Sequence, residues 1–217
     1  LVNKRIISNL FQQAQAIYKS KVIDQIPKEG ARPAGWCDTT ISEIAVFHDS
    51  RRVPLSSRER ENLEKIYPYY GAASIMYYVD RYLFDGIYLL LGEDGTVIDS
   101  KGFPILQYVD GKFWVNNHAH ILTGKNGYSV ELLYLLFSLT NVQPLVTGAV
   151  QAKISQGNLN KMPVVVPPEE YLNDLDNTIQ PLFSQIRSVR AENEKLVSTR
   201  TYLIPKLMSG EIDMNVI

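Results

Sequence analysis

Four guanidinium groups fall within ten residues, at Arg51, Arg52, Arg58 and Arg60, flanking the loop-like stretch Val53 to Ser57. Arginine presents a planar fork of donors that pairs bidentately with guanine edges or clamps phosphates, so this stretch could read or hold nucleic acid. Glu59, Glu61 and Glu64 sit among these cations, and by charge alone a solvated, self-neutralised loop is the simpler reading. Asn116, Asn117 and His118 end a strand-like run with hydrogen-bonding side chains suited to base edges or to a turn. Gln151, Lys153, Ser155 and Gln156 form a second polar loop with a single cation. Tyr67, Tyr69, Tyr70, Tyr77, Tyr78 and Tyr82 add an aromatic patch, of which alternation along a strand assigns roughly half to a core. No one of these clusters is specific by itself.

Catalytic patterns are scarce. Asp85, followed by Asp99-x-Lys101, has the composition of a Mg²⁺-dependent nuclease, in which carboxylates hold the metal and a lysine stands near the attacking water. Asp85 precedes a glycine, however, and Asp99 to Gly102 reads as a turn, so chance spacing is the simpler account. His118 and His120 alternate and could supply half of a metal site, although packed or hydrogen-bonded histidines are commoner. Gly111-Lys112 and Gly124-Lys125 lack the upstream glycine and following Ser/Thr of a phosphate loop. No nucleophile elbow or paired-cysteine motif appears. Neither metal nor cofactor is expected.

These residues must be positioned by the surrounding elements. The chain has 217 residues and a net charge of -1, with 45% hydrophobic and 21% charged residues, which suits a soluble protein with a real core and gives no global pull toward nucleic acid. The single cysteine, Cys37, excludes an internal disulfide framework and fits a reducing, cytoplasmic setting. No apolar run approaches the ~18 residues of a membrane span. Residues 4 to 24 carry helical apolar spacing, and Pro27, Gly30, Pro33 and Gly35 punctuate a linker. Strands are expected over Ile41 to Val46, Ile66 to Tyr70, Met76 to Val79, Ile87 to Leu91, Gly95 to Ile98, Ile105 to Val109, Lys112 to Val115 and Ala119 to Leu122. Asp85-Gly86, Asp94-Gly95 and Asp110-Gly111 are read as turns between them. A helix over Val130 to Leu139 follows the N-cap Ser129, residues 144 to 162 look irregular, and Pro167-Pro168 closes the head after Val164 to Val166.

A last helix opens at Glu169 and runs for about 40 residues, some 60 Å at ~1.5 Å per residue. Leu172, Leu175, Ile179, Leu182, Ile186, Val189, Leu196, Leu203 and Leu207 recur in steps of three and four, with Asn193 and Arg200 filling the remaining seam positions. That heptad pattern predicts lengthwise packing on another helix, and a buried Asn193 would fix its register. Pro181 should kink the helix or remove a backbone hydrogen bond, while Pro205 stands near the Ser209-Gly210 stop. The helix at 4 to 24 is only about half as long, so much of the seam needs another chain or domain. The expected fold is α+β, with an N-terminal helix (1–26), a mixed β-rich head (33–168) and a coiled-coil-forming C-terminal helix (169–217).

Several motifs follow one another in order: Pro33-x-Gly35-Trp36, Tyr67-Pro68-Tyr69-Tyr70-Gly71-Ala72, Tyr82-Leu83-Phe84-Asp85-Gly86, Leu91-Gly92-Glu93-Asp94-Gly95 and the run Gly111 to His120. Gly148-Ala149-Val150-Gln151, Leu159-x-x-Met162-Pro163 through Pro168, and Leu203 through Ile212 continue the set. Together they resemble the target-recognition domain of type I restriction-modification specificity subunits. The resemblance implies a non-catalytic protein whose loops read one half of a bipartite DNA site. It also implies long helices that space two such heads and dock methyltransferase subunits and, through them, a restriction subunit. One head rather than two makes the chain either the C-terminal half of a longer subunit or a half-subunit that homodimerises through its spacer helices. Two other readings stand beside it, the Asp85/Asp99/Lys101 nuclease and a coiled-coil adaptor that binds protein only.

Overall fold

The computed structural model of the chain describes residues 2–27, 29–148 and 150–211, so Ala149, Ile212 and the rest of the C-terminal tail within the expected 169–217 segment lie outside the described residues. The elements run α1 (Val2–Lys21), β1 (Cys37–Thr40), α2 (Ile41–Ile44), β2 (Ala45–Phe47), α3 (Ser57–Arg60), β3 (Tyr67–Tyr70), β4 (Ile75–Val79), β5 (Phe84–Gly92), β6 (Leu106–Val115), β7 (Ala119–Gly124), α4 (Val130–Ser138), β8 (Val146–Thr147), β9 (Lys153–Ile154), α5 (Gln156–Asn160), β10 (Pro163–Val166) and α6 (Glu169–Met208). The architecture is a mixed α/β head carried between a shorter N-terminal and a long C-terminal helix. No described helix is long and apolar enough to cross a membrane.

Six strands form the main sheet in the order β2-β7-β5-β6-β3-β4, and β1 pairs separately with β10. Every pairing is antiparallel except β3 with β6, which meet in parallel at Tyr69↔Trp114 and Tyr70↔Val115. Three expectations fail here. The run Ile41 to Val46 is no single strand, because α2 forms one turn there and Ile41 donates its N–H to the Met162 carbonyl at 3.1 Å. Gly95 to Ile98 contributes only an isolated bridge from Ile98 to Pro104. Asp85-Gly86 and Asp110-Gly111 are not turns but lie inside β5 and β6, where Gly86 faces Gly111 across the ladder.

Those two glycines adopt φ of 132° and 87°, which L side chains rarely reach, so the ribbon curls at the point where the dipeptides suggested that it ends. The curl is visible in its contacts. Gln107 Nε2 donates to Gly71 O at 3.0 Å and Asn116 N–H donates to Tyr70 O at 3.0 Å. Nine residues of straight strand would separate these partners by ~30 Å. Phe84, Leu90, Val109, Phe113, Val115, Ala119 and Ile121 fill the inside of the curl.

The larger core lies between the sheet and the helices. Leu10, Ala14 and Tyr18 of α1, Leu132 to Phe137 of α4 and Leu172 to Ile186 of α6 pack with Leu89, Leu91, Tyr108 and Leu122 in one cluster. Helix α4 starts as expected, with Ser129 Oγ accepting from Leu132 N–H at 3.1 Å and donating to Asp176 on α6 at 2.6 Å. Helix α6 continues through Pro181 and Pro205 without interruption. It runs antiparallel to α1, since Tyr171 donates to Lys21 O at 2.7 Å near one end and Asn3 donates to Asn193 Oδ1 at 3.0 Å near the other. Of the seam, Leu172, Leu175, Ile179 and Ile186 are buried, whereas Leu182 and Val189 are only half so. Phe183, off the seam, is fully buried against Phe11 and Tyr108, because α6 turns that edge toward the sheet. Past Asn193 the helix outruns α1: Leu196 is 56% exposed, and Ile204 and Leu207 are also exposed. Leu203 is partly covered.

Candidate nucleic-acid interface

Four separated segments meet at a buried ionic knot. Arg52, after the short 3₁₀ turn Asp49–Arg51, donates to Glu93 at 2.5 Å and to the Ala119 carbonyl at 2.9 Å. Lys153 of β9 reaches the other Glu93 oxygen at 3.1 Å. His120, 1% exposed, bonds the Ile154 carbonyl through Nε2 at 2.8 Å. A carbonyl can only accept, so Nε2 donates to it, and Nδ1 pairs with the Asp49 carboxylate at 2.6 Å. The second oxygen of Asp49 accepts the Ile121 N–H at 2.9 Å. Burial alone would raise the Glu93 carboxyl, but the Arg52 hydrogen bond, neighbouring His120 and Lys153 outweigh it and hold the group below the usual carboxylate range. Asp49, Glu93 and His120 place three potential ligand atoms within 4.8 Å. Arg52 and Lys153 already occupy that space and neutralise it, so the cluster satisfies itself without a metal.

The knot ties together the bases of the loops that carry the sequence-identified residues, and those residues divide into two groups. Arg52 and Lys153 belong to the knot. Asn116 is buried, its Oδ1 accepting the His118 N–H at 2.8 Å to shape the turn. Tyr69 is 2% exposed, its hydroxyl accepting from Leu55 N–H at 3.0 Å. Ser155 caps α5 by accepting from Asn158 N–H at 3.1 Å, and Tyr70 is half-buried in the wall of the cleft between head and α6. Burial pushes its phenol up to about 12, with smaller opposing effects from Arg190 and Asp110. Arg51, Arg58, Asn117, Gln151 and Gln156 are exposed, Arg60 is partly so, and His118 stands at the rim with Nδ1 bonded to Asp94.

The catalytic alternative does not assemble. Asp85 pairs across the ladder from Lys112. The carboxylate of Asp99 accepts the Lys101 and Phe103 N–H groups at 2.8 and 3.0 Å, closing its own turn. The groove beside Asp99 and Lys101 is walled by Phe103, Pro104, Ile105, Leu106, Tyr134 and Ser138, without Asp85. His118 and His120 likewise bond different carboxylates, Asp94 and Asp49. Nothing in the sequence marks Asp49, Glu93 and Asp94 as ionic partners of these groups, because those partners lie largely in distant segments.

A family model for the type I restriction modification DNA specificity domain matches residues 33–195. The chain belongs to that family. Over 128 residues it is 34% identical to a Haemophilus influenzae protein named as a candidate type I restriction enzyme specificity subunit, S.HindORF215P. The match takes in 59% of this chain but 32% of that protein. The fold is that of the type I restriction-modification S subunit from M. genitalium, with a TM-score of 0.54 at 16% identity, covering 95% of this chain and 54% of the other. This specificity-domain chain thus spans about a third of its curated relative and about half of the solved one.

Proposed function

We propose that this chain is the DNA-reading part of a type I restriction-modification complex, contacting one half of a bipartite site and performing no catalysis itself. The convergence of exposed polar tips on one neutralised buried base, in a chain of the specificity family, carries this reading. Shielded Arg52, buried Asn116 and the exposed but ion-paired Lys153 set the loop bases, which leaves Asn117, His118, Gln151 and Gln156 to meet base edges. Helix α6 and its seam fix the distance to a second head, supplied by a longer chain or by a second copy, and offer a docking face for methyltransferase subunits in the cytoplasm, through which a restriction subunit joins. The methyltransferase, not this chain, would flip and methylate the base.

The test is co-expression with a modification subunit followed by mapping of methylated bases. Methylation confined to one bipartite motif, and lost or redirected by Asn117→Ala with Gln151→Ala, is the expected result. A chain that shifts no DNA even with the methyltransferase present would instead be a protein-only adaptor. Cleavage by the isolated chain that disappears in Lys101→Ala would establish the nuclease.

A further inference from the structure

The cations of the head and of α6 are held in two physically different ways. Arg52 and Arg187 lie on carboxylates, Glu93 and Glu131, and are neutralised there. At the curled end of the ribbon, cations rest on aromatic rings. The Arg81 guanidinium lies 5.6 Å from the Trp114 ring centroid, and Lys112 Nζ lies 4.7 Å from that of Tyr82. Lys65 Nζ is 5.4 Å from Tyr77, and Arg60 is 5.2 Å from Tyr69 and 5.5 Å from Tyr77. Arg51 sits 4.6 Å over Phe84 and donates to the Leu83 carbonyl.

Apart from Phe84, which lies in the neighbouring core cluster, the rings are contiguous. Tyr69 and Trp114 form one small core with Tyr67, Tyr77 and Leu83 packed on it, and Tyr67 meets Tyr82 edge-on at 5.1 Å. Among the described residues, only Arg81 of these five cations has a carboxylate within ion-pair distance, Asp80 at 3.7 Å. A ring face orders a cation without cancelling its charge or taking all of its donors. Glu59 accepts from the Ser56 N–H and hydroxyl at 2.8 and 2.7 Å, yet lies near enough to Arg81 to feel its charge and offset part of it. Glu61, Glu64 and Asp85 remain exposed and offset part of the charge.

We infer that Arg51, Arg60, Lys65, Arg81 and Lys112 form a pre-ordered rail for the phosphate backbone of duplex DNA. The rail supplies register and sequence-independent affinity, while the loop tips supply sequence. It rests on the DNA-binding reading above. Lys65, Arg81 and Lys112 are its new members, since the sequence showed only isolated charges there.

The experiment measures binding of the full chain to mixed-sequence duplex DNA by fluorescence anisotropy across salt concentrations. The slope of log Kobs against log[salt] should fall in magnitude by about 0.9 for each phosphate contact removed, hence by roughly 2 to 3 in the triple variant Lys65→Gln, Arg81→Gln, Lys112→Gln. Tyr82→Leu keeps every charge but removes the seat of Lys112. It should weaken binding about two- to five-fold at fixed salt with the slope unchanged, an effect that mere loss of fold would not produce. Melting curves identify any variant that fails to fold. An unchanged slope in a folded triple variant overturns the rail but leaves the DNA reading intact. A wild-type chain that binds no duplex even near ~50 mM salt overturns the rail, and one that still binds none with the methyltransferase present overturns both.

Discussion

At Glu93, burial and charge pull in opposite directions, and the cations win, so the carboxyl stays ionised below its ordinary range. A depressed carboxyl contributes stability above its unfolded value, and that contribution disappears as pH falls through the folded value. Glu93→Gln should therefore cost about 3 kcal/mol near neutrality, because it strands the largely buried Arg52 guanidinium. The gap to wild type should close below the ordinary glutamate value of 4.5. Urea denaturation of both proteins across acid pH checks this, and a gap that persists at low pH would contradict it. Arg52 and Lys153 were legible as charges but not as structural groups. The partner of Arg52 lies 41 residues away, and no local pattern records such a pairing. Asn117, Gln151 and Gln156 have no distant partner to hide, so their polar, loop-like character was visible directly.

Helices α1 and α6 were legible because each buries one face, which stamps a repeat on the sequence, and α4, buried almost all round, because Ser129 caps an apolar run. The curl of β5 and β6 was misread because a positive φ serves a turn and a bend alike, and only the pairing of Gly86 with Gly111 tells them apart. Two glycines of the sheet, Gly111 in β6 and Gly124 at the end of β7, should respond differently to substitution. Gly111 has φ 87° and open space around an added Cβ, so Gly111→Ala carries only backbone strain, about 1 kcal/mol. At Gly124 a Cβ would lie 1.8 Å from the Tyr128 carbonyl oxygen, so the turn before α4 must move. Gly124→Ala should be the more destabilising of the two by thermal denaturation, and equal losses would contradict the close approach. Pro181 withholds a donor inside α6, so Pro181→Ala should stabilise the chain by about 1 to 2 kcal/mol. An unchanged or lowered melting temperature in Pro181→Ala would show that the helix has already relaxed around the proline.

For the molecule as a whole, the α+β class and the long arm followed from texture and periodicity. The linkers at Pro27 to Gly35 and Pro167-Pro168 suggested separate bodies, yet the helices share their core with the sheet. Among the described residues no helix covers the seam beyond Asn193, so Leu196→Lys with Leu203→Lys should alter the stability of the isolated chain by no more than about 0.5 kcal/mol. Light scattering should nevertheless show loss of any self-association, and a large fall in melting temperature would mean that the arm tip packs on its own head. The buried knot has a consequence for how such a protein can change. With Asp49, Arg52, Glu93, His120 and Lys153 anchoring the loop bases, drift at Asn117, Gln151 and Gln156 carries little folding penalty. Where these tips read DNA as proposed, new preferences would accumulate one substitution at a time, as a repertoire on an unaltered frame.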